Sequence, residues 1–140
     1  MQLAKLAELY VYMNKRIITT AAVLGMLAVI TGAFGAHGLK ARLSPLQLQT
    51  WGTAVQYHFY HVFALLFLAT LNRVNSGLTY ASYWLFTFGI MFFSGSLYLL
   101  ACSSILRWNW LHVLGPITPV GGLLFMAGWL TLALAARKEN

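Results

Sequence analysis

Four histidines, His37, His58, His61 and His112, are the residues of this chain best suited to chemistry. Imidazole is a common ligand for zinc, copper, iron and nickel, and it exchanges protons near neutral pH. His58 and His61 are three residues apart, so on a helix they project from neighbouring points of one face. With His37 they form a candidate metal set; with His37, Gln56 and Tyr57 they form a candidate polar or ligand-binding cluster. Three arrangements fit these residue types. The rings could converge on a metal or haem, or they could join a hydrogen-bonded cluster with Tyr57, Tyr60 and Gln56. They could also sit separately at a membrane interface. The metal arrangement lacks a His-x-x-x-His or Glu-x-x-His pair, and no carboxylate is available to orient a bound imidazole, which leaves that role to a backbone carbonyl. No cofactor is expected.

The elements that must position these residues are apolar. Of 140 residues, 60% are hydrophobic and 8% charged, against about a quarter charged in soluble domains. There is no Asp, and the only Glu residues are Glu8 and Glu139. Paired carboxylates for general acid–base catalysis are therefore excluded. A nucleophile–base–orienter set and a Gly-rich phosphate loop are also missing, so the expected activity is not enzymatic. The net charge of +7 comes from basic residues spread thinly between apolar runs. That pattern points to a lipid bilayer and not to nucleic acid. Cys102, the single cysteine, allows no internal disulfide or Cys-based zinc motif and reads as a small buried residue.

A membrane-spanning helix needs about 20 mostly apolar residues. Four stretches qualify, at about 17–36, 54–71, 80–101 and 114–136. The expected fold is all-α, a four-helix transmembrane bundle with short loops, in which residues 13–140 form one domain behind an extension at 1–12. Met13-Asn14-Lys15-Arg16 reads like a natural start. Before it, Leu3, Leu6, Ala7 and Tyr10 fall at helical spacing, which fits a short interfacial helix as well as it fits a disordered tail. Lys15-Arg16 and Ala33-Phe34-Gly35 resemble the flanks of a signal peptide, but the apolar stretch is long and three more follow, so it is read as a retained span. Ser44, Pro45 and Gln47 make a capping box with a first-turn proline at the start of the second helix. From Pro45 to Leu71 that helix would be about 40 Å long, against a hydrocarbon core of about 30 Å. Its opening turns, with Gln47, Gln49 and Trp51, are expected to extend beyond the outer membrane surface.

Four spans place both termini and the loop holding Arg73 on one side, with Lys5, Lys15, Arg16, Arg137 and Lys138. The other side holds Lys40, Arg42 and Arg107. Six basic residues against three put the termini in the cytoplasm, and all four histidines then lie toward the outer side. Ala21, Gly25, Ala28, Gly32 and Gly35 form one narrow stripe along the first span, suited to close packing within the bundle or to a homodimer face. Gly121 and Gly128 offer a comparable face on the fourth. Trp51, Trp108 and Trp110 on the outer side, with Trp84 and Trp129 toward the inner half, fit an interfacial belt. Thr87, Ser94 and Tyr98 share a face of the third span, either bonding to backbone and neighbouring helices or lining a polar path.

Two motifs, Gly32-Ala33-Phe34-Gly35-Ala36-His37-Gly38-Leu39 and Trp51-Gly52-Thr53-Ala54-Val55-Gln56-Tyr57-His58, resemble domain-of-unknown-function family number 423. This is a family of small bacterial membrane proteins with eukaryotic relatives named transmembrane protein 256. The resemblance covers about residues 14–136. It implies a multi-pass protein of the bacterial cytoplasmic membrane, and it places His37, Gln56, Tyr57 and His58 in the family pattern. It carries no catalytic residues. The expected role is that of a membrane partner or assembly component, the alternative being binding or transport of a small solute, proton or metal through the outer-side histidines of an oligomer. The expected partners are lipid, further copies of the chain, or other membrane proteins.

Overall fold

No proline precedes Pro45, and a single helix, α1, runs unbroken over Gln2–Phe34. Residues 2–12 thus form the leading turns of the helix that carries the apolar segment beginning at Lys15. The computed structural model describes residues 2–71, 76–108 and 111–137. A π-helical turn at Gly35–Leu39 closes α1. Helix α2, Pro45–Thr70, begins at the capping box. There the Gln47 amide donates to Ser44 Oγ at 3.3 Å, and the Ser44 amide donates to Gln47 Oε1 at 3.0 Å. Gln47 Nε2 also donates to Ser104 Oγ at 2.9 Å, pinning this end of α2 to a short helical turn 57 residues further along the chain.

Helix α3, Ser76–Gly89, passes through a π turn, Ile90–Ser94, into α4, Gly95–Ala101. A one-turn helix, α5 (Ser103–Leu106), ends at Arg107, whose φ of 49° is the one positive value among the described non-glycine residues. A short 3-10 segment, Leu111–Leu114, leads to α6, Ile117–Arg137. Pro116 precedes α6 and Pro119 lies in its first turn, where a missing amide donor costs least.

The described residues hold helices and no strands. Three segments are long and apolar enough to cross a membrane: Lys15–Leu39, Gly77–Ala101 and Ile117–Arg137. Helix α2 has the length and carries no charged residue, yet it is not among the three. Gln47, Gln49, Gln56, His58 and His61 dilute its apolar character. Length and apolarity alone therefore give three spans where the sequence pattern suggests four.

Lipid tails are as apolar as leucine, so helices inside a bilayer are held by close approach and by polar pairs. Both devices operate here. Helix α1 packs on α2, α3 on α6, and α2 on the π turn and α4. Gly25 and Gly32 lie opposite Val62 and Val55 of α2, while Ala21 and Ala28 are fully buried. On α6, a side chain at Gly121 would collide with the Phe93 backbone, and one at Gly128 would meet the Phe86 ring at 2.6 Å. The core between them contains Leu65, Leu68, Tyr83, Phe86, Ile90 and Phe125. Hydroxyl pairs cross the helix contacts at Thr20–Tyr83 (3.0 Å), Ser82–Thr131 (2.7 Å) and Ser96–Thr118 (2.7 Å). Met26, Val29, Ile30, Phe63, Leu123, Met126 and Leu130 point outward and are more than half exposed, a surface that suits lipid and would be a liability in water.

The glycines should therefore differ in tolerance. Gly121→Val must move backbone and is expected to cost about 1–3 kcal/mol, whereas Gly52→Ala, which meets nothing within 4 Å, should leave stability unchanged or raise it. Thermal unfolding in detergent micelles checks both, and equal stability of the two variants would contradict this packing.

Candidate functional site

Helix α2 carries most of the predicted polar cluster, and its neighbours divide that cluster in two. His58 and His61 are both buried, each with 4% of its surface exposed. Their three-residue spacing separates them by about 60° around the helix axis, enough to meet different neighbours.

His61 turns toward α6 and α3. Its Nδ1 lies 2.8 Å from the Tyr57 carbonyl oxygen, and a carbonyl only accepts. Nδ1 therefore carries the proton and donates it. Trp129 Nε1 donates to His61 Nε2 at 3.3 Å, so Nε2 is the acceptor of a neutral ring. The imidazole stacks on Phe125, with centroids 3.4 Å apart and planes 5° from parallel. Phe86 lies 5.4 Å away on the α3 side. With both nitrogens engaged, His61 ties α2 to α6 and has no lone pair free for a metal.

His58 turns toward α1 and α4. Its Nδ1 is 3.3 Å from the Tyr98 hydroxyl, which lies 3.0 Å from the Thr31 hydroxyl. The Thr31 hydroxyl also donates to the Ala28 carbonyl at 3.1 Å, and the Thr31 carbonyl accepts from Trp51 Nε1 at 2.9 Å. With the Thr31 proton on the Ala28 carbonyl, the Tyr98 hydroxyl donates to Thr31, and His58 Nδ1 is left to donate to the Tyr98 oxygen. His58 Nε2 is buried without a hydrogen-bond partner, as is Ser94 Oγ. The Trp51 indole packs 4.6 Å from the Tyr98 ring and lies directly on Gly35, where an added Cβ would come within 2.5 Å of it. The two sequence motifs thus meet face to face, Gly35 of one beneath Trp51 of the other.

Of the remaining candidates, His37 and Gln56 lie apart, while Tyr57 stays beside His61, with ring centroids 6.3 Å apart. His37 sits exposed in the π turn that closes α1. Gln56 is exposed and donates to the Tyr60 hydroxyl at 2.6 Å. Tyr57 points its ring at Phe93, 4.8 Å away. The His112 side chain and Trp110 fall outside the described residues. Among the described residues, no group of three or more His, Cys, Asp or Glu is placed to hold a metal ion.

Sequence reasoning missed the partners: Thr31, Tyr98, Trp129 and Phe125. The signals were present only as pieces, because Tyr98 stood out on a polar face and Trp51 within a motif. Trp51 is 8% exposed, so it belongs to the packed interior and not to an outer belt. Beside it, a cleft of about 500 Å³ opens between the end of α1 and the first half of α2. Its walls include Gly32, Gly35, Trp51, Gly52 and Val55, with Lys40 and Gln56 among the polar lining residues.

Residues 31–122, which hold Thr31, Trp51, His58, His61 and Tyr98 but not Phe125 or Trp129, match the family described as Protein of unknown function (DUF423). A UPF0382 membrane protein of Staphylococcus haemolyticus is 43% identical over 124 residues, covering 89% of this chain and 97% of its own length. The UPF0382 membrane protein YwdK of Bacillus subtilis is 42% identical over 126 residues, covering 89% and 98%. No solved structure matches the chain. The chain belongs to this family of bacterial membrane proteins.

Tyr98→Phe removes the hydroxyl that joins Thr31 to His58, and a buried polar pair between membrane helices contributes about 1 kcal/mol. The variant should unfold at lower temperature in micelles by a corresponding amount. His58→Leu should cost less in the Tyr98→Phe background than in the native chain, because the partner is already gone. Strictly additive losses would show that His58 and Tyr98 do not act together.

Proposed function

We propose that this family member is a non-enzymatic assembly component of the bacterial cytoplasmic membrane, crossing it four times with both termini in the cytoplasm. The observation that carries the reading is the engagement of buried His61 and of Tyr98 with neighbouring helices, with only His58 Nε2 and Ser94 Oγ left unpaired among the described buried side chains. His61 is closed between Tyr57 and Trp129, and Tyr98 between Thr31 and His58. Such groups fix helix positions, and no nucleophile stands beside a base and an orienting group among them. What the molecule then offers other proteins is a rigid apolar exterior, suited to a second copy or a different membrane protein.

A fourth crossing by α2 is supported by its 26 residues without a charge and by its seat between α1 and α4. At about 1.5 Å per residue α2 is about 39 Å long, so its capped end rises beyond the outer surface. The excess of Lys and Arg beside the termini supports their cytoplasmic placement.

A fluorescent protein fused after Asn140 should fold and fluoresce, and alkaline phosphatase inserted after Arg42 should be active. The reverse pattern would overturn the topology. Photo-crosslinking residues placed at Met26 and Leu130 should yield discrete protein adducts in native membranes. Lipid adducts alone from both positions would overturn the assembly role.

A further inference from the structure

The cleft beside Trp51 has features that the assembly reading does not use. One wall is formed by Gly32 of α1, Gly35 and Ala36 of the π turn, and Lys40 just beyond it. The opposite wall runs along α2 from Leu48 to Gln56. Most of the lining is apolar or lacks a side chain: Gly32, Gly35, Ala36, Leu48, Gly52 and Val55. A Cβ at Gly52 would meet no atom within 4 Å, so this glycine faces open space, unlike Gly35 under its indole. The Gln56 amide is held on the Tyr60 hydroxyl. The volume of about 500 Å³ falls in the range of small-molecule sites, about 300–1,000 Å³.

Lys40 supplies the polarity. It is the first residue beyond the apolar segment Lys15–Leu39, which sets its amine at the level of lipid headgroups while the glycine walls lie within the apolar layer. Among the described residues the one carboxylate side chain is Glu8, near the start of α1 and 26 residues, or about 39 Å along the axis, from Phe34 at its end. The same shortage argues against a second copy as occupant, because that copy would bring no acidic group to this depth. A cation at the rim of an apolar slot, facing the bilayer, is complementary to an anion joined to a hydrocarbon chain.

We infer that the cleft between the end of α1 and the first half of α2 binds one anionic phospholipid, its phosphate on Lys40 and an acyl chain against Ala36, Gly52 and Val55. This goes beyond the assembly role and does not depend on it. Loss of lipid binding would leave the crosslinking result untouched, and the reverse also holds.

The test is native mass spectrometry of the full chain in detergent, titrated with palmitoyl-oleoyl-phosphatidylglycerol or with the phosphatidylcholine of the same chains. The native chain should retain one phosphatidylglycerol in preference to phosphatidylcholine by about fivefold, the factor expected for one basic residue at a lipid surface. Lys40→Gln should abolish that preference while helicity is kept. Gly52→Leu, which fills the slot, should reduce retention of both lipids, and millimolar inorganic phosphate should displace neither. Equal preference in the native and Lys40→Gln chains would overturn the proposal, and so would displacement by inorganic phosphate, which would mark a simple anion site. If Gly52→Leu fails to fold, the Lys40→Gln comparison decides alone.

Discussion

The contact on which the other arrangements depend is the indole of Trp51 lying on Gly35. It brings the end of α1 within van der Waals distance of α2, and only a residue without a side chain allows that approach. The indole also hands its proton to the Thr31 carbonyl, an atom of the helix it packs against. Packing and hydrogen bonding therefore fix the same pair of helices at the same place. Inside lipid, where apolar surfaces gain little by meeting, such a joint fixes a helix pair better than hydrophobicity can. The Tyr98 ring packs on the other side of Trp51, which carries the joint through to α4.

From that joint the polar interior can be followed outward. Thr31 and Tyr98 reach His58, one helical turn beyond Val55. The next histidine, His61, faces the other half of the molecule and holds α6 through Trp129 and Phe125. Helix α2 is thus the central beam, with one histidine fastening each side. This explains its dilute apolar character. Of the residues that lower its hydropathy, His58 and His61 lie inside against neighbouring helices, whereas Gln49 and Gln56 stay exposed, and Phe63 and Phe67 face outward. A helix that is poor in lipid-facing terms is rich in partners. The cleft beside Gly52 marks where α1 and α2 part company beyond the Trp51 joint, toward the loop holding Lys40 and Arg42.

Local patterns were legible where a short stretch of chain decides the outcome. The capping box at Ser44 and Gln47 formed because its two hydrogen bonds span three residues and need nothing else. Helix formation in the apolar runs follows from backbone groups that must bond within their own segment when water is absent. The absence of Asp and the confinement of Glu to the tails followed from composition, as did the membrane character shared with relatives named as membrane proteins. The helical spacing of Leu3, Leu6, Ala7 and Tyr10 left a short interfacial helix and a disordered tail equally open, and the continuity of this segment with α1 emerged only in the structure.

Which groups would meet was left to the tertiary structure. The spacing of His58 and His61 allowed a common site, because three residues on a helix place two side chains on one broad face. About 60° of divergence was enough for different neighbours to claim them, and those neighbours, Tyr98 and Trp129, lie 40 and 68 residues away. No local rule reaches that far. The sequence by itself determined that the chain is helical and apolar, where α2 starts, and which narrow stripe of α1 permits close approach. The tertiary structure decided that Val62, Val55 and Trp51 lie on that stripe, that the histidines part, and that Lys40 borders an open slot. Those outcomes depend on how four long helices share one interior.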